Sequence, residues 1–157
     1  MRRLHVFADS LFWHEMLHFS SGVIMFFLLY RIFGQIKYGI IAFIVSLFID
    51  SDHYFEGVIV NGLDFSWIFK TYPCVYWEKL GRVTILLHSW ELLPLIFIVG
   101  KIFGLEPLAL AIVLPAILHY SIDNFIYSGF RNMPVLAYSL IYRLYHRFNF
   151  RKLCPSS

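Results

Sequence analysis

Cysteine is scarce in this 157-residue chain, which contains only Cys74 and Cys154. The pair matches no metal-binding spacing and supports no disulfide framework, so it leaves the redox compartment open. The chain has no internal repeat and no low-complexity linker, and its length suits one domain. Arg2 and Arg3 precede an apolar stretch, but no small-residue cleavage site follows it, so the first helix is expected to stay with the chain. Nothing in the sequence suggests nucleic-acid binding. The basic residues towards the C-terminus are better matched to anionic lipid headgroups.

What the chain has instead is apolar side chains. Hydrophobic residues make up 59% of it and the mean hydropathy is +0.68, above the roughly 45–50% apolar content of soluble domains. A soluble protein of this size has too little interior to hide that surface. A bilayer removes the difficulty, because its core is itself apolar. Phe, at 17 residues, can face lipid at any depth, whereas the 10 Tyr and 4 Trp favour the headgroup level.

Four segments approach the roughly 20 apolar residues that a spanning helix needs. They run from about Leu11 to Ile32, from Tyr38 into the Asp50–His53 region, from Val83 to Val99, and from Leu105 to Tyr127. The short turn between the last two makes them antiparallel neighbours. Residues 54–81 read as a mixed loop with an interfacial stretch, Phe65-Ser-Trp-Ile-Phe69. From Pro134 to Leu153, apolar residues alternate with Arg143, Arg147, Arg151 and Lys152, the pattern of a basic amphipathic helix lying on a membrane. The expected fold is therefore all-α. It is a polytopic membrane protein, with a four-helix transmembrane bundle in residues 1–130 and an amphipathic C-terminal helix in 131–157. With four spans, the two termini and the loop before the third helix share one side and hold 10 of the 13 basic residues. The positive-inside rule places that side in the cytoplasm, in an inner membrane.

Ionisable residues inside spans are costly, on the order of 3 kcal/mol or more each. Here they form four groups: His14-Glu15-Met-Leu-His18, Asp50-Ser-Asp52-His53, His88-Ser89-Trp-Glu91 and His119-Tyr-Ser-Ile-Asp123. They sit at the start of helix one, the end of two, the start of three and the end of four. In an up-down bundle those four ends share one membrane face, whichever way the protein is oriented. His14 and His18, and His119 and Asp123, are four apart; Asp50 and His53, and His88 and Glu91, are three apart, so each pair shares a helical face. Imidazoles and carboxylates at such spacings are the ligands of zinc, manganese and iron in bundles. A divalent cation would offset the negative charge that Asp50, Asp52 and Asp123 otherwise bury together.

Several of these residues also have simpler readings. His14 is as readily interfacial as ligating, and Glu91 reads as a partner orienting His88. His5 and His146 lie outside the spans and read as surface residues. Pro115, four residues before His119, would bend its helix and open room beside the site; Pro94 reads as an ordinary transmembrane proline.

The groups resemble the motifs of the YdjM-like family of inner-membrane metal-dependent hydrolases. The resemblance lies in His18 with Ser20-Ser21-Gly22, Phe48-Ile-Asp50-Ser-Asp52-His53, Leu87-His88-Ser89 and His119-Tyr-Ser-Ile-Asp123. The chain departs from that pattern at Ile49, which replaces a proline, at the missing His-Arg-Gly before the third motif, and at Asn124-Phe125. More distantly, the His/Asp series is similar to that of zinc-dependent phospholipase C. The resemblance favours His18 over His14 and adds Asp52. It implies one or two divalent ions, zinc first and manganese as the alternative, held by His18, Asp50, His53, His88, His119 and Asp123. Asp52 or Glu15 would then be the general base, and a water activated by the metal would attack a phosphoester or other amphipathic substrate at headgroup depth.

Two other readings compete. His14-Glu15-x-x-His18 matches the His-Glu-x-x-His motif of zinc metalloproteases, with Asp123 as third ligand. A non-enzymatic metal-binding or transport protein is the other, although the far halves of the helices lack the polar residues a transport path needs.

Overall fold

The apolar run behind His14 forms an unbroken helix, α1 (Leu11–Phe33). The computed structural model describes residues 11–63, 66, 68, 73–131 and 135–153; the expectations for His5, Cys154, Phe65, Trp67 and Phe69 lie outside them. After α1 come α2 (Ile36–Phe48), α3 (Ser51–Asn61), α4 (Pro73–Leu80), α5 (Leu92–Ile102) and α6 (Glu106–Arg131). A 3-10 turn at Val135–Tyr138, α7 (Leu140–Tyr145) and α8 (Phe150–Leu153) complete the order. Among the described residues helix is the only extended regular structure, with an isolated bridge between Arg82 and Asn149.

Phe12–Phe33 and Glu106–Phe125 are long and apolar enough to cross a membrane. At 13 and 11 residues, α2 and α5 are shorter than the about 20 that a span needs. α1 packs against α2 and α6, and α6 also packs against α2 and α5. Small residues set these close approaches. A Cβ on Gly39 would meet the Phe26 carbonyl at 2.7 Å, and one on Gly100 would meet the Ala109 Cβ at 2.3 Å. Gly34 and Gly104, at φ of 66° and 67°, take the left-handed conformation that closes the α1–α2 and α5–α6 turns. Ile24, Phe27, Ile44, Ile98 and Ile117 point outwards, while His18, Asp50, His53, His88, His119 and Asp123 are fully buried. A buried polar cluster thus sits beside apolar packing such as Leu29, Ala42 and Ala111, while many large apolar side chains face outwards.

Three expectations need correction. The third helix does not begin at Val83: residues 83–91 are non-helical and α5 starts at Leu92. Pro94 explains part of this, since it falls in the first turn of α5, where its missing N–H costs no hydrogen bond. The rest comes from other elements. The Val83 N–H donates to the Phe148 carbonyl at 2.9 Å, and that of Trp90 to the Tyr138 carbonyl at 3.1 Å. The Thr84 and Leu87 N–H groups donate to Glu56 and Asp52, each at 3.1 Å.

The 54–81 region is not a loop throughout, because α3 continues to Asn61 and α4 begins at Pro73. Nor does the tail form one amphipathic helix. It is broken into the 3-10 turn, α7 and α8, with Arg147 and Phe148 at φ of 54° and 56° between the last two. Ala137, Tyr138 and Leu153 are buried against Trp77, Val83 and Ile85. The tail thus packs onto the 83–91 segment.

Candidate metal centre

The first two turns of α1 carry His14 and His18, and the junction of α2 and α3 carries Asp50, Asp52 and His53. His88 lies in the 83–91 segment, and His119 and Asp123 lie on α6, which continues to Arg131. The four groups converge.

Asp123 sits at the centre. Its Oδ1 lies 2.9 Å from His18 Nε2 and 3.2 Å from His14 Nε2, and those two nitrogens are 3.1 Å apart. Its Oδ2 lies 3.3 Å from His88 Nε2 and 3.6 Å from His119 Nε2. Asp50 Oδ1 is 3.2 Å from each of the latter two nitrogens. The His18 and His119 rings stack with centroids 3.6 Å apart.

These separations bear on metal binding. Donor atoms held about 2.0–2.2 Å from one ion stand roughly 3 Å from each other. His14, His18, Asp50 and Asp123 form one group with all donor atoms within 4.8 Å of one another, and Asp50, His88, His119 and Asp123 form a second. The two groups share Asp50 and Asp123. A third comprises Asp52, His53 and His88. Asp50 Oδ2 and both ring nitrogens of His53 are buried beside these groups with no hydrogen-bond partner. Buried polar atoms are normally satisfied, so open atoms next to converging imidazoles and carboxylates fit a cation.

Two histidines are oriented for that role by atoms behind them. His119 Nδ1 lies 3.0 Å from the Ser46 carbonyl, an acceptor only, so Nδ1 carries a proton there and Nε2 is the atom turned towards Asp50 Oδ1, 3.2 Å away. His88 Nδ1 lies 3.2 Å from Asp52 Oδ2, which also accepts the Leu87 N–H. Asp52 Oδ1 stays unbonded. Glu15 is hydrogen-bonded to Tyr54. His53 is at the margin, 3.7 Å from Asp50 Oδ1.

Of the two readings open for His14, the structure places it in a possible ligand group with His18, Asp50 and Asp123. Other participants were not expected from sequence. Tyr138 donates to Asp123 Oδ2 at 3.2 Å. Glu56 accepts from Trp77 Nε1 at 2.6 Å and from the Thr84 hydroxyl at 2.5 Å. Burial pushes the Glu56 carboxyl up, against those hydrogen bonds. Glu91 does not orient His88. It accepts from the Ser139 hydroxyl at 2.5 Å and from the Leu140 and Ile141 N–H groups at 2.9 and 3.2 Å, pinning the start of α7.

An apolar cavity of about 190 Å³ adjoins the cluster between α2, α5 and α6, with Ile49, Leu87, Leu93, Ala116 and Tyr120 in its wall. Ile49, Leu87 and Tyr120 are chain neighbours of Asp50, His88 and His119. The Tyr120 hydroxyl donates to the Leu87 carbonyl, closing one end. Comparison with known protein families, characterised proteins and solved structures finds no match.

Proposed function

We propose that this chain is a membrane-embedded, metal-dependent hydrolase of the kind its YdjM-like motifs resemble, with its site at headgroup depth. The observation that carries this is the pair of buried His/Asp groups sharing Asp50 and Asp123. His14, His18 and Asp123 would hold one divalent ion, and Asp50, His88, His119 and Asp123 a second, with zinc favoured by the imidazole-rich set. Such ions supply Lewis acidity to a hydrolytic reaction.

The chain's own residues do the rest. Asp52 orients His88, and its free Oδ1, or Glu15, accepts a proton. The adjoining apolar cavity suits the hydrocarbon part of an amphipathic substrate, with a phosphoester as the reacting group. On this reading α2 and α5 act as the shorter members of a four-span bundle, each continued by the segment bearing Asp50 or His88. Both termini then face the cytoplasm. The purified chain should hydrolyse a chromogenic phosphodiester or a phospholipid, and His88→Ala and Asp123→Ala should abolish turnover. Turnover that survives both substitutions would rule out this site.

A second reading has a specific observation behind it: His14, His18 and Asp123 offer three mutually adjacent donor atoms around the His-Glu-x-x-His motif. An intramembrane metalloprotease would lose all activity on Glu15→Gln and cleave a peptide substrate. The hydrolase proposed here retains activity with that change if Asp52 is the base.

A further inference from the structure

Arg143 is the only tail cation that is buried among the described residues. Its Nη2 donates to Ser89 Oγ at 2.5 Å, while Nε and Nη1 are buried with no hydrogen-bond partner. One of its five N–H groups is therefore used. Asp52 and Glu91 are the carboxylates close enough to act on it electrostatically, yet neither pairs with it. Asp52 Oδ2 is engaged by Leu87 and His88, and both Glu91 oxygens by the start of α7. A guanidinium taken out of water without partners is strongly unfavourable. Its position explains what could complete it: Ser89 adjoins His88, and Tyr138, next to Arg143, bonds Asp123.

We propose that Arg143, positioned by Ser89, whose own hydroxyl donates to the Leu86 carbonyl, forms an anion subsite that takes the phosphoryl group of a phospholipid headgroup or a free phosphate ester and holds it beside His88. A phosphomonoester, phosphatidic acid included, brings three acceptor oxygens and a charge of about −1.5 to −2, a better match to several open N–H donors than a carboxylate. Delivery of that group to a metal rests on the hydrolase reading; binding of the anion does not.

The test uses the full chain in a phosphate-free maltoside detergent. Inorganic phosphate, dihexanoyl phosphatidic acid and acetate are titrated in turn by calorimetry, with metal content measured on the same samples. The wild type should bind phosphate saturably and acetate much more weakly. Arg143→Gln should weaken phosphate binding by roughly tenfold or more, with metal content unchanged. Arg143→Lys, which keeps the charge, and Ser89→Ala should each give a smaller loss and guard against a misfolded variant. Tighter binding of phosphatidic acid than phosphate assigns the subsite to a lipid headgroup, and equal binding to a soluble phosphate ester. Arg143-dependent phosphate binding in a chain that holds no metal upholds the subsite and removes the hydrolase reading. The proposal is overturned if the wild type shows no saturable phosphate binding, if acetate binds equally well, or if Arg143→Gln leaves binding unchanged. Loss of metal and phosphate binding together in that variant also overturns it, since Arg143 would then be structural.

Discussion

At His88 the two ring nitrogens have different work. Nδ1 is held by Asp52 Oδ2, and Nε2 faces Asp50 and Asp123. Partners of this kind typically tune metal affinity by about 10- to 100-fold. Asp52→Asn should therefore weaken zinc binding within that range without changing stoichiometry, read by competition with a chromophoric chelator. Unchanged affinity would mean that Asp52 does not orient His88. Glu91→Gln, which weakens the acceptor of the Ser139, Leu140 and Ile141 donors, should cost about 1–2 kcal/mol, read as a lower melting temperature in detergent; an unchanged melting temperature would mean that Glu91 does not pin α7. That these His and Asp side chains would meet was legible from residue type and position, although His88 lies in a non-helical segment rather than on a helix. Arg143, Tyr138 and Glu56 were not, because each matters through a partner more than a dozen residues away.

Among the elements, α1 was legible almost to the residue and α6 at its start, running four residues past the expected Tyr127, because long apolar runs leave few alternatives to a helix. The 83–91 segment was not, since its backbone is bonded by Asp52, Glu56, Tyr138 and Phe148 rather than by its own turns. Its apolar composition resembles a helix that its hydrogen bonds do not make. The tail misled for the same reason: Glu91 and Gly81 hold it from outside, the latter accepting the Phe150 N–H at 3.0 Å. The α5–α6 contact is specified more simply. Gly100→Ala puts a methyl group against Ala109 and should cost about 1–3 kcal/mol, seen as a lower melting temperature in detergent. Adding Ala109→Gly should recover part of the loss, as expected for neighbours that share one space. An unaltered melting temperature in the single variant would mean that the helices are not so closely packed.

For the molecule as a whole, many large apolar side chains lie on the outside of the helices, and the buried residues include, beside apolar clusters, the five imidazoles of His14, His18, His53, His88 and His119. Residues from four parts of the chain meet there, so a bound ion would tie together elements that otherwise touch mainly through apolar contacts. Metal binding would then contribute directly to the stability of the fold. The most direct measurement is the metal content of the purified chain by inductively coupled plasma mass spectrometry, for the wild type and for Asp123→Ala, before and after chelation. The account predicts one or two divalent ions per wild-type chain, less in Asp123→Ala, and a fall in melting temperature on chelation that zinc reverses. A wild-type chain without stoichiometric metal, whose melting temperature neither chelator nor zinc moves, would contradict it.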